Sequence, residues 1–68
     1  MAVTKIIEIV GSSTNGADDA VREAVRSASR SIRGIEEVEV LSLRCSVSEG
    51  DVAQWHARVK LFFPVEAR

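Results

Sequence analysis

From Trp55 to Val65 every odd position is apolar (Trp55, Ala57, Val59, Leu61, Phe63, Val65), while His56, Arg58 and Lys60 stand between them. A period of two is the mark of a strand with one face for a core and one for something else, and it predicts a strand over 52–65. Pro64 marks an edge or an end of it. The run 3–10 carries the β-branched Ile6, Ile7, Ile9 and Val10 and stops at Gly11. It is apolar on both sides of the pleat and reads as a strand internal to a sheet. A third strand is predicted over 35–47, and its apolar positions change phase: Val38 and Val40 are even, whereas Leu41, Leu43, Cys45 and Val47 are odd. Such a slip arises from a β-bulge, or from two halves that bury opposite faces. The strand is expected to bend there and to serve two interfaces. Ser48, Glu49, Gly50 and Asp51 form the tight turn that returns the chain antiparallel.

Between the first two strands, Ala17, Ala20, Val21, Ala24, Val25, Ala28 and Ile32 recur at the i, i+3, i+4, i+7 spacing of a helix, predicted over 16–33. The polar link Ser12–Gly16 offers hydroxyl and amide side chains that can cap its free N–H groups. Asp18 and Asp19 at its start and Arg26, Arg30 and Arg33 at its end complement the macrodipole. Gly34 supplies the left-handed stop. A stripe built largely from alanine lets the helix approach a sheet closely but buries little area. The order is therefore β-α-β-β, an α+β domain with one helix to cover its sheet and the last two strands antiparallel.

With 68 residues, the chain is one domain and buries only ~60% of the surface its unfolded form exposes. The usual remedies for so small a core are disulfides, a structural metal or self-association. Cys45 is the single cysteine and His56 the single histidine, which removes an intrachain disulfide and a Cys/His zinc site and leaves self-association. Nine basic and ten acidic side chains nearly cancel, so the field expected of a nucleic-acid binder is missing. Neither a run of 18 apolar residues nor a secretory pattern is present. The expectation is a cytoplasmic protein without membrane or nucleic-acid partners.

A strand ending in V-G-S-S at Val10 to Ser13, an amphipathic helix of about 18 residues, an E-V-x-S-x-R stretch spelled by Glu39, Val40, Ser42 and Arg44, and a closing long hairpin together resemble the dodecin family over nearly the whole chain. The resemblance implies a three-stranded antiparallel sheet partly wrapping one helix, a hollow shell of twelve subunits, and flavins such as FMN or riboflavin held between subunits by a protein that stores its ligand and is not an enzyme. In flavin-binding dodecins a tryptophan ahead of the E-V pair stacks on the isoalloxazine ring, and Glu37 takes that place here. The family's flavin-bonding glutamine falls at His56. Arg44 matches the arginine near the ribityl and phosphate end. Loss of a stacking platform weakens ring binding by about 1 to 3 kcal/mol, judged from aromatic stacking on nucleobases.

The candidate ligand residues are therefore Glu36, Glu37, Val38, Arg44 and His56, with Arg44 holding a phosphate, His56 a ring edge, and 36–38 forming a wall; Arg58 could join them. The plain alternative is a set of hydrogen bonds and ion pairs between subunits. Glu36, Glu37 and Glu39 also suggest a second function, a shell that binds a divalent cation such as calcium through Glu37 and its copies, or serves only as a scaffold; hard cations want six or more oxygens, which one segment cannot supply. A solvated strand face accounts for the same residues. Trp55 shares parity with Ala57 and Val59 and belongs to the core. Cys45, between Leu43 and Val47, is expected to be a small buried hydrophobe. The loop 11–16 lacks the lysine and spacing of a P-loop and is read as a turn. No nucleophile has a recognisable partnered base, so catalysis is not expected.

Overall fold

The computed structural model describes residues 3–65. Its elements are β1 (Val3–Ser13), α1 (Ala17–Ser29), β2 (Glu37–Ser48) and β3 (Asp51–Val65). The sheet order is β1-β3-β2 with both pairs antiparallel. The alternating strand β3 is thus the central one. β1, expected inside the sheet, is an edge strand. Its two apolar faces have another explanation: Ile7 and Ile9 pack towards the core, while Ile6 and Val10 remain about half exposed on the far side.

The strand β1 also runs beyond Gly11 to Ser13. Glycine does not end it, because the helix crosses the sheet there. Gly11 lies opposite Ala57 in the ladder, and a Cβ placed on it would stand 2.2 Å from the carbonyl oxygen of Ala20 and 2.8 Å from the Cβ of Ala24. The fully buried set is Ala20, Ala24, Ala57, Val59 and Leu61, around which Ile7, Ile9, Val21, Val25, Ala28 and Trp55 are partly buried. Small residues on both sides of the contact bring the backbones together. Leu61 and Val59 supply most of the volume. Leu61→Ala is expected to cost about 2 to 5 kcal/mol, read as a shift in the denaturant midpoint at unchanged slope.

α1 ends at Ser29, earlier than the alanine stripe suggests. Arg30 N–H bonds the Ser27 carbonyl, and the N–H groups of Ser31 and Ile32 both bond Ala28, so the helix end tightens into i→i−3 bonds and a single i→i−4 bond closes its last turn. Gly34 does adopt a left-handed φ of 74°, but beyond that turn. At the other end the cap position is Gly16, which has no side chain to offer. Ser13 instead accepts from Asn15 N–H and donates to Asp19 at 2.6 Å, tying the link to the first helical turn. On the surface, the Arg22 guanidinium beside Asp18 holds that carboxyl below the usual carboxylate range.

The phase change in β2 is a bulge. Val40 pairs with Val59 and Ser42 with Arg58, leaving Leu41 as the extra residue. It preserves the face instead of switching it: Val38, Val40, Leu43 and Cys45 stand opposite Leu61, Val59, Ala57 and Trp55, all on the helix side. The two halves therefore do not bury opposite faces. A second shift lies between Ser46 and Val47, close to the turn, where Glu49 and Gly50 both have positive φ, 51° and 78°, as a two-residue hairpin requires.

A helix of 13 residues, about 20 Å long, cannot cover a molecule 54 Å in its longest dimension. It lies over β1 and β3 and barely reaches β2. Cys45 is consequently exposed, not buried as its neighbours suggest. Val40, Leu41, Leu43 and Val47 are exposed beside it.

Candidate functional site

The ladder pairs align the sheet face away from the helix into rows across β1, β3 and β2. In order they read Ser12–His56–Arg44, Val10–Arg58–Ser42, Glu8–Lys60–Glu39 and Ile6–Phe62–Glu37. Arg44, His56 and Arg58 gather at one end, and Glu8, Glu39 and Glu37, with Lys60 among them, at the other. This segregation follows from the strand period alone, since residues two apart share a face.

At the basic end Val10, Ser42, Arg44, His56 and Arg58 line a hollow of about 310 Å³. His56 is half-buried and held from both sides. Ser12 Oγ lies 2.8 Å from Nδ1 and Ser46 Oγ 2.8 Å from Nε2. A neutral imidazole donates at one nitrogen and accepts at the other, so the two hydroxyls take complementary roles and fix the ring plane across the strands. Ser12 and Ser46 are thus hydroxyl partners of the histidine that the sequence did not reveal. With both nitrogens bonded to serines, the ring has no orienting carboxylate of the kind a catalytic triad uses.

Of the residues singled out from the sequence, Arg44 and His56 come together as direct cross-strand partners. Glu37 shares their face but pairs with Phe62, about 20 Å away at 3.3 Å per residue. Glu36 lies next to it, outside the strand, its N–H bonded to the Phe62 carbonyl. Val38 turns to the other side and packs against the core. Trp55 also lies on the helix side, between Ser13 and Cys45, so it cannot take the stacking role on the outer face. Ser12, Ser46, Ser42 and Val10 were not legible as site residues, because only the register brings them beside His56 and Arg58. Among the described residues no three His, Cys, Asp or Glu side chains gather closely enough to hold a metal ion.

Two other hollows are larger. One, of about 480 Å³, is an apolar groove between α1 and the edge of β1. The other, of about 420 Å³, lies where Ser31 to Gly34 meets Phe63 and Pro64. Neither combines converging cations with a hydrogen-bonded histidine.

The dodecin family profile matches residues 3–66. No curated protein matches the chain. Among solved structures, the dodecin of Streptomyces coelicolor is 37% identical, with 98% of this chain and 96% of that chain covered and a TM-score of 0.93. The tt0972 protein of Thermus thermophilus is 26% identical over 100% of both chains, with a TM-score of 0.96. The calcium dodecin of Mycobacterium tuberculosis, a calcium-chelating antigen with a novel calcium-binding site, is 26% identical over 94% of this chain and 91% of that one, with a TM-score of 0.81. No helix in the described residues is long and apolar enough to cross a membrane. A match that runs through the helix and all three strands, joined to more than a third identity with a known dodecin, establishes that this chain belongs to the dodecin family.

Proposed function

We propose that the protein is a non-catalytic flavin-binding and storage protein of the cytoplasm, assembled as a hollow homododecamer that holds FMN or riboflavin in pockets between subunits. The observation that carries this reading is the hollow on the uncovered sheet face, where Arg44 and His56 converge beside Val10. Arg44 suits a phosphate or ribityl oxygen and His56 a ring edge. The segment 36–38 reaches such a pocket only from a second copy, since it stands at the opposite end of its own sheet. A two-fold arrangement supplies this economically, as each copy gives one end and receives the other. Self-association is supported by the uncovered apolar residues Val40, Leu43 and Val47.

The test is native mass spectrometry of the purified protein, followed by titration of FMN and riboflavin with fluorescence as readout. Twelve chains and one quenched flavin per subunit are expected from family resemblance. Arg44→Ala is expected to weaken FMN binding about tenfold, the usual cost of a charge-assisted hydrogen bond. A colourless protein that leaves flavin fluorescence unchanged and gains thermal stability with calcium overturns the reading. That outcome favours the second one, a dodecin shell binding a divalent cation through Glu37 and its copies. Similarity to a calcium dodecin supports it, as does the exposed carboxylate of Glu37 where flavin-binding relatives carry an aromatic ring.

A further inference from the structure

We propose that Arg58 is a switchable second guanidinium of the pocket, and that it makes the site selective for a ligand bearing a phosphate monoester. The proposal deepens the flavin reading and rests on it for the identity of the ring, while the anion subsite stands on the geometry below.

Arg58 lies on β3 two residues from His56, flanked in its row by Val10 and Ser42, and lines the same hollow as Arg44. The side chains around that hollow include two guanidiniums and no carboxylate. Two guanidiniums with no carboxylate in the lining favour an anion, and planar forks suit the several oxygens of a phosphate. None of the three ion pairs among the described residues involves Arg44. Arg58, by contrast, is paired with Glu8.

Glu8 stands outside the hollow, one row further along, and its direct cross-strand partner is Lys60. Arg58 therefore reaches Glu8 diagonally, past a closer-placed cation. Directly opposed side chains have Cβ atoms about 5 Å apart, within easy reach of a lysine and a glutamate. When Arg58 swings to a phosphate in the hollow, Glu8 keeps a cation beside it in Lys60, which it then shares with Glu39 on the other side of the row. Arg58 and Glu8 are 57% and 38% exposed, and surface pairs of this kind exchange at little cost. One carboxylate shared by two cations thus holds Arg58 in reserve while the site is empty. A neutral ligand gains nothing from the exchange, so the selectivity falls on the phosphorylated form.

The experiment compares FMN with riboflavin on the assembled protein at low salt, using fluorescence quenching, for the parent, Arg58→Gln, Arg58→Lys and Glu8→Gln. The parent is expected to prefer FMN by about tenfold or more. Arg58→Gln lowers FMN affinity by about tenfold and leaves riboflavin within about twofold. Arg58→Lys falls between, keeping charge but losing the fork. Glu8→Gln raises FMN affinity about twofold by freeing Arg58. Equal affinity of the parent for both flavins, or equal losses for both in Arg58→Gln with the assembly intact by native mass spectrometry, overturns the proposal. If neither flavin binds, inorganic phosphate is titrated and followed by phosphorus NMR. Line broadening that disappears in Arg58→Gln upholds the anion subsite while the flavin reading falls. No broadening in the parent overturns both.

Discussion

Gly11→Ala is expected to destabilise the protein by about 3 kcal/mol or more, at the upper end of what overpacking costs. The added methyl meets the backbone oxygen of Ala20 at 2.2 Å, and the Cβ and N of Ala24 at 2.8 and 2.9 Å. These are atoms of a helix, not the tip of a flexible side chain, so relief requires moving α1 off the sheet. Lifting the helix also opens the contact of Ala20 and Ala24 with Ala57, the tightest part of the core. In a domain this small each kcal/mol shifts the melting midpoint by about 4 to 8 °C, so a fall of about 12 °C or more by circular dichroism is expected. A variant that melts with the parent shows that the helix can ride higher at no cost.

Glu37→Trp is expected to tighten flavin binding by about 5- to 150-fold, the equivalent of about 1 to 3 kcal/mol for an aromatic platform under a planar ring. The fold accepts the change readily. Glu37 is exposed on the outer face, and its row contains Phe62 and Ile6, two apolar neighbours on which an indole can rest. Aromatic residues also suit strands better than glutamate does. Quenching titrations of riboflavin and FMN on the variant and the parent decide it. If the variant quenches no better, the ring does not lie against 36–38 and the position of the pocket is wrong.

Local periodicity carried much of the architecture. The alternation of β3 assigned Ala57, Val59 and Leu61 to the core and left His56 and Arg58 on the outer face, because side-chain direction in a strand depends only on parity. The slip in β2 announced the bulge at Leu41 for the same reason. Tertiary relations were less accessible. Whether a doubly apolar strand is central or at an edge depends on which strands pair, and β1 illustrates it. The length of α1 was overestimated because Ile32 continues the stripe, although its N–H bonds back to Ala28 in a turn. Cys45 has apolar neighbours and the right face, but no helix above it. At the site, the resemblance to dodecins pointed to Arg44 and His56, whereas the serines that hold His56 follow from register, which the sequence does not state. The distance between His56 and Glu37 is likewise set by register. It puts Glu37 and His56 at opposite ends of one sheet face, so the pocket expected between subunits would have to draw them from different copies.

Leu41 makes β2 tolerant of a change in length that would be ruinous elsewhere in the sheet. With that residue removed, Val40 still faces Val59 and Ser42 still faces Arg58, so the ladder closes up without inverting a single side chain. Loss of any residue between Leu43 and Ser46 would instead turn part of the strand inside out. What the extra residue contributes is coiling, since a bulge sharpens the local twist. The curvature of the sheet is therefore adjustable by one codon without turning Arg44, His56 or Arg58 off the face they share.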